Sequence, residues 1–143
     1  MVDKSLIEKI IRKVLEEQQA SPAVLSFSPL NETISEQHRL DTGNPAHKVY
    51  TKDLLSLAQS PDLGFGVMEM EKTTFDWTLN YAEIDVVLEG TLSVIQDGVT
   101  KTANKNEVIF IPKGSKIQFS VPDYAKFLYI TYPADWQNVK EGL

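Results

Sequence analysis

The sequence contains no cysteine. Disulfide scaffolding, thiolate metal sites and cysteine nucleophiles are therefore excluded together, and the lack of thiols fits a reducing compartment. Histidine is almost as rare, with only His38 and His47. Glycine is sparse: seven in 143 residues, with only Gly64 and Gly66 close together. There is accordingly no G-x-x-x-x-G-K-[ST] phosphate loop and no kinase-type glycine loop. No apolar run approaches the ~18 residues of a membrane helix, and the first nineteen residues interleave charges where a secretory signal needs an apolar core. Basic side chains are outnumbered, 14 against 20 acidic ones, for a formal charge of −6. Nucleic-acid binding relies on the opposite balance. A soluble, cytoplasmic protein without nucleic-acid or membrane partners is expected.

With 42% apolar and 24% charged residues, the chain has the composition of one globular domain. It reads in three parts. Residues 1–19 form an amphipathic helix, because Leu6, Ile7, Ile10, Ile11, Val14 and Leu15 recur at the spacing of one helical face. Asp3 and Ser5 are both candidate caps, and Glu8 completes a capping box with Ser5. Such a stripe needs a partner: its own domain, a dimer mate, or a groove on another protein for which the helix is an address peptide. Residues 20–47 carry Pro22, Pro29 and Pro45 and no sustained period, and read as a linker.

Residues 48–143 change texture. Thr51 can cap a short helix, TKDLLSLAQ, ending before Pro61. Eight β-rich runs follow: Phe65–Glu71, Phe75–Leu79, Glu83–Leu88, Thr91–Gln96, Val99–Ala103, Glu107–Ile111, Lys116–Val121 and Lys126–Tyr132. Asp97-Gly98 between two alternating runs is a strong hairpin signal. Many short strands with no helix between them predict an all-β antiparallel sandwich or barrel.

Two strings narrow this further. EIDVVLEG places Gly90 six residues after the Glu83-Ile84 start of the run, and EVIFIPKG puts Pro112-Lys113-Gly114 across a hairpin from it. Together they resemble the two motifs of the cupin superfamily, which implies a single-domain jelly-roll barrel. The resemblance also implies a metal held by imidazoles from both motifs plus the glutamate. Here the histidine pair of the first motif falls at Asp76 and Thr78 or at Trp77 and Leu79, and the second-motif histidine falls at Ile117. Of the four ligands only Glu83 remains, and one carboxylate does not replace three imidazoles. No transition metal is expected. Mg²⁺, which accepts oxygen ligands and retained water, stays open.

Glu83 and Asp85 are two apart on a strand and leave on the same face. If that face is the lumen, two carboxylates share a partly buried site, which raises a pKa or recruits a cation or a donor. They are the candidate Mg²⁺ ligands. Glu69 faces either the same lumen or the rim. Trp77, Tyr81, Tyr129 and Tyr132 are core or ligand-contacting aromatics, with Tyr81 nearest the acids. Lys113, in a tight turn, is either solvated or a point charge for phosphate.

The strings FDWTLNYAEIDVVLEGTL, VIFIPKGSKIQF and FLYITYPADWQ are similar to the EutQ family of ethanolamine utilisation proteins, from about Leu63 to Gln137. That resemblance implies a cytoplasmic protein of the bacterial ethanolamine microcompartment, a cupin without the usual metal site, and acetate kinase activity interconverting acetate plus ATP with acetyl phosphate plus ADP. By position, Trp77, Asn80, Tyr81, Glu83 and Asp85 belong to the family's strand pair, and Lys113 and Gly114 to its second turn. A kinase would use Glu83 and Asp85, with Glu69, to hold Mg²⁺, while Tyr81 or Lys113 orients phosphates and Trp77 and Asn80 contact substrate. The alternative is a non-catalytic assembly or adaptor protein whose helix binds microcompartment shell or cargo proteins. A homodimer is expected because small cupins pair through sheet edges or swapped strands. The better-known relatives have a longer N-terminal region, which the helix and linker replace here.

Overall fold

The computed structural model describes residues 3–19, 24–31 and 33–136, with side chains for all but 14–19 of these. Residues 20–23 and 32 of the expected linker, the side chains of Val14 and Leu15, and Gln137 lie outside that description. The elements are α1 (Lys4–Gln19), a 3₁₀ turn (Glu36–His38), β1 (Lys48–Asp53), β2 (Gly64–Leu79), β3 (Ala82–Gln96), β4 (Val99–Asn104), β5 (Val108–Ile111) and β6 (Ser115–Tyr132).

Three of these strands are long enough to serve two sheets each. One sheet runs β1, β2, β6, β3, β5, using Gly64–Glu71 of β2, Tyr124–Thr131 of β6 and Ala82–Glu89 of β3. The other pairs Thr73–Leu79 of β2 with Ser115–Val121 of β6, sets Ser93–Ile95 of β3 beside β6, and adds β4. All pairings are antiparallel. The result is the expected jelly roll, with inward side chains of both sheets forming one core around Met70, Leu79, Leu92, Phe119 and Phe127.

The eight expected runs therefore become five strands, and β1, which lies before them, makes six. Three pairs of the runs fuse into β2, β3 and β6, because the separating residues make bends and not turns. Lys72 adopts φ 45° at the register slip between Glu71 and Thr73. Gly90 adopts φ 74° where β3 passes from one sheet to the other. Pro122, which has no N–H to donate, falls between the paired residues Val121 and Tyr124. Bulges of this kind bend a strand without ending it. The Asp97-Gly98 hairpin forms as expected, with both residues at positive φ and Gln96 paired to Val99.

The helix expected from Thr51 does not form. Thr51 lies in β1 opposite Met68, and Val49, two residues earlier, is fully buried. The alternation of Val49, Tyr50 and Thr51 fits a half-buried strand better than a helix start. Ser56 and Gln59 then close a single turn through reciprocal bonds: Ser56 N–H donates to Gln59 Oε1 (2.9 Å) and Gln59 N–H to Ser56 Oγ (3.2 Å).

Residues 36–47, within the expected linker, are docked on the barrel. Arg39 uses every donor of its guanidinium. Nε and Nη2 donate to the Glu36 carboxylate (3.0 and 3.2 Å), Nη1 to the carbonyls of Pro45 and His47 (2.9 and 3.0 Å), and Nη2 to the Tyr50 hydroxyl (3.0 Å). Leu40 packs against the core, and the His47 ring lies 6.1 Å from Phe75.

In α1, Asp3 is the cap: Oδ1 accepts the Ser5 N–H (3.0 Å), and its carbonyl accepts those of Leu6 and Ile7 (3.0 and 3.1 Å). Leu6, Ile7, Ile10 and Ile11 remain 43–54% exposed, so the stripe on these residues is not covered by the barrel.

The bend at Gly90 gives a direct test of the two-sheet strands. A Cβ there would overlap the Tyr124 carbonyl, whereas one at Gly98 meets nothing within 4 Å. Both glycines have positive φ. In urea melts Gly90→Ala should cost about 3 kcal/mol or more, and Gly98→Ala only about 1 kcal/mol.

Candidate functional site

The inward face of β3 begins with Tyr81, just before the strand, and continues through Glu83, Asp85 and Val87, all buried. Strand alternation places them on one side, with Ile84 and Val86 on the other. Across the sheet Glu83 lies opposite Thr131 and Ile111, and Asp85 opposite Tyr129 and Ile109. The two carboxyls therefore sit inside the barrel. Glu83 is 6% exposed and Asp85 0%.

The lumen that receives Glu83 is a cavity of about 20 Å³ walled by Phe75, Trp77, Tyr81, Phe119, Tyr129 and Trp136. The rings interlock: Phe75–Trp77 5.8 Å, Trp77–Trp136 5.9 Å and Tyr81–Trp136 5.5 Å between centroids. Trp77 Nε1–H donates to the Tyr81 hydroxyl (2.9 Å). Tyr129 donates to the Asp53 carboxylate. It passes over Gly66, where any Cβ would overlap its hydroxyl.

Four buried oxygens on this face have no hydrogen-bond partner: Glu83 Oε2, Asp85 Oδ1 and Oδ2, and Thr131 Oγ1. A buried acceptor without a donor carries a penalty of a few kcal/mol, more when charged. Burial pushes the Asp85 carboxyl well above the usual carboxylate range, and the neighbouring Glu83 charge adds to it. Burial also pushes Glu83 up, although the proximity of Asp85 and Tyr81 offsets part of the shift. Tyr81 is raised chiefly by burial and next by Glu83, so its hydroxyl stays protonated throughout the physiological range.

Two clefts open on this interior. The mouth cleft, about 610 Å³, shares Leu40, Thr51, Trp77, Tyr81 and Trp136 with the lumen and adds Gln37, His38 and Asn80. A side cleft of about 450 Å³ is lined by Asp53, Gly64 and Thr131 and also ends on Trp136. Trp136 thus stands between both clefts and the lumen.

Of the residues expected at the site, Glu83, Asp85, Tyr81, Trp77 and Asn80 come together here. Glu69 does not. Its neighbours Met68 and Met70 point inward, so Glu69 leaves on the outer face and accepts a bond from the Tyr124 hydroxyl (3.1 Å). Lys113 lies outside the mouth cleft. Its turn is anchored to the Asn80 turn by the Gly114 N–H, which donates to the Leu79 carbonyl (2.7 Å). Tyr132 is 61% exposed. The positions open to the missing histidine pair resolve to Trp77 and Leu79, since Asp76 points outward to Gln118 (2.9 Å). Leu79 and Ile117 are buried. Thr131, Trp136 and Asp53 were not legible as site residues. Only the family-like ending around Trp136 carried a signal.

Magnesium at Glu83 and Asp85 does not fit. Among the described residues no third Asp, Glu or His joins the pair. Mg²⁺ keeps several waters and near-octahedral geometry, whereas a 20 Å³ lumen has room for one water-sized group.

The acid pair has a signature in stability. Because the folded carboxyls bind protons more tightly than the unfolded chain, the stability they allow is complete below the unfolded range near pH ~4. It is lost as pH rises through the elevated folded values. In amine-free buffer, Asp85→Asn should stabilise the chain by roughly 2 kcal/mol at pH 8 and by little at pH 4, as read from urea midpoints.

Residues 2–138 match the ethanolamine utilisation protein EutQ family, so the match takes in the helix and the segment after it. Acetate kinase EutQ of Clostridioides difficile is 53% identical, with 96% of each chain covered. Acetate kinase EutQ of Salmonella typhimurium is 36% identical over 95% of this chain, which spans only 64% of that protein. The solved EutQ structure from Clostridium difficile superposes with a TM-score of 0.75 at 64% identity, covering 77% of this chain and 80% of that one. A cupin 2 conserved barrel protein from Salinispora arenicola, 15% identical, shares the fold with a TM-score of 0.58 over 78% of this chain and 91% of its own. A cupin-like jelly roll and a match along nearly the whole chain lead to one conclusion: the chain belongs to the EutQ family of ethanolamine utilisation proteins.

Proposed function

We propose that the chain is an acetate kinase that works in the mouth cleft. The carrying observation is that cleft: about 610 Å³, walled by Trp77, Tyr81 and Trp136 with the Asn80 and Gln37 amides beside them, in a chain largely coextensive with a relative named acetate kinase. Phosphoryl transfer asks the protein mainly for positioning and charge compensation. The bond from phosphorus to the acetate oxygen breaks as the bond to the ADP β-phosphate oxygen forms, and the reverse direction makes acetyl phosphate. Trp77 and Trp136 offer faces for the adenine, and Asn80 and Tyr81 offer donors for phosphate oxygens. Arg39 also lines the cleft, but its donors are committed to Glu36, Pro45, His47 and Tyr50. Magnesium therefore enters as the counter-ion of the nucleotide phosphates, as part of the substrate. The raised pKa values of Glu83 and Asp85 keep the floor from presenting two full negative charges to anionic substrates.

Purified chain given acetyl phosphate, ADP and Mg²⁺ should form ATP in a luciferase-coupled assay. Trp77→Ala should raise the KM for ADP about tenfold, the value of one lost base stack. Glu83→Gln and Asp85→Asn, which alter the floor under Tyr81, should lower kcat about tenfold or more. Unchanged kinetics in all three variants would remove the reaction from this cleft.

A second reading, assembly within the ethanolamine microcompartment, is favoured by two surfaces. The exposed stripe of α1 suits docking into a groove on a shell or cargo protein. The outer face of the first sheet carries a registered apolar row, Phe65, Ile130, Ile84 and Phe110, beside Leu128, Val86 and Val108. That row suits a second copy of the chain, related by a twofold axis. Deleting residues 1–19 should release a tagged copy from the shell and leave the dimer intact. Phe110→Glu should split the dimer by sedimentation and leave shell association in place. A full chain that sediments as a monomer, or a truncated one that still co-localises, would refute the corresponding arm.

A further inference from the structure

Inside the barrel, unpaired acceptors and aromatic faces occur together. Glu83 Oε2, both oxygens of Asp85 and Thr131 Oγ1 lack donors, and each of the three residues is at least nine-tenths buried. Of the three, Glu83 lines the lumen, Thr131 opposite it in the sheet lines the side cleft, and Asp85 lies two residues along the Glu83 face. Tyr129, the residue opposite Asp85, has committed its own hydroxyl proton to Asp53. The Tyr129 hydroxyl therefore points elsewhere, and Tyr81, which accepts from Trp77, is the donor left beside Glu83. The remaining walls are the π faces of Phe75, Trp77, Tyr81, Phe119 and Trp136.

We propose that the lumen binds a small primary ammonium ion. Its N–H donors would satisfy the orphaned Glu83 Oε2, with the Asp85 carboxyl two residues along the same strand face, its charge would face the aromatic rings, and its short aliphatic stem would lead out past Trp77 and Trp136 into the mouth cleft.

The chemistry selects this ligand class against its competitors. An ammonium head has three donors and no acceptor, matching a pocket whose orphaned atom is the acceptor Glu83 Oε2. It is about the size of a water molecule, which is what 20 Å³ admits. Aromatic faces stabilise organic cations, and more strongly where water is excluded. A hydrated divalent ion is too large, a guanidinium is too broad, and an anion would meet acceptors only. The net charge of −6 favours approach of a cation. The five residues shared between lumen and mouth cleft give the stem a continuous path. A bound ammonium would lie under the cleft floor beside Tyr81, and so would be placed to influence whatever reaction the cleft supports. The proposal does not depend on the kinase reading, since binding is measured without nucleotide.

The test uses the full chain in phosphate buffer at constant ionic strength, titrated with 2-aminoethanol or ethylammonium chloride. Saturable binding of one equivalent is expected. It should quench or shift tryptophan fluorescence and move the ligand methylene protons upfield through the ring currents of the surrounding aromatics. Ethylene glycol and acetate should do neither, and Mg²⁺ should not compete. Glu83→Gln should weaken binding tenfold or more and Asp85→Asn, beside it on the strand, by less, with Trp77→Leu as a further variant if either acid variant fails to fold. Equal response to ethylene glycol, absence of the upfield shift, or undiminished binding by a folded acid variant would overturn the proposal. ATP formation without amine binding would overturn this inference alone, and amine binding without ATP formation the kinase reading alone.

Discussion

Two carboxyl groups enclosed in an aromatic-walled barrel, three of their oxygens without a hydrogen-bond partner, are the constraint on which the site depends. Moving a carboxylate into such an interior costs several kcal/mol unless a proton, a donor or a cation compensates. No donor or cation reaches the orphaned oxygens of Glu83 and Asp85, and the Arg39–Glu36 ion pair lies at the surface. The compensation must then come from protons taken up by the acids themselves or from a bound cation. Raised proton affinity and orphaned oxygens are two views of that one electrostatic fact.

The fold makes this arrangement possible by keeping β3 continuous. Because the strand bends at Gly90 instead of ending there, its first half presents Glu83 and Asp85 to the lumen while its second half joins Leu92 and Val94 to the core. The long β6 places Thr131 and Tyr129 directly opposite the acids in the same way. The positions that correspond to the histidines of a metal-binding cupin are occupied by Trp77, Leu79 and Ile117, none of which offers a metal ligand, and of these Trp77 lines the lumen. The segment before the barrel, locked by the Arg39 guanidinium, supplies Leu40 and His38 to the rim.

Much of this was legible along the chain. An antiparallel sandwich or barrel followed from eight β-rich runs, because alternation and turn residues are local signals, and the jelly roll from the resemblance of two motifs to cupins. That Glu83 and Asp85 share one face followed from the period of a strand, and their inward direction only from the cupin resemblance. The same rule left Glu69 ambiguous, since a run alternating Met and Glu shows that two faces differ but not which one is interior. Bends were read as turns at Lys72, Gly90 and Pro122 because a bulge and a turn use the same residues. The helix at Thr51 was a misreading of a strand followed by a one-turn cap, and the strand won through pairing with β2.

By itself the amino-acid sequence determined the barrel class, the loss of imidazole ligands, the family and the pairing of two acids on one strand face, because each depends on residue type and short spacing. Only the tertiary structure decided what surrounds those acids. Thr131, Tyr129 and Trp136 lie some fifty residues away in the chain and reach Glu83 through strand register and the return of the C-terminal segment over the mouth. Donor supply, cavity size and dielectric are properties of that assembled neighbourhood, and no local pattern in the chain encodes them.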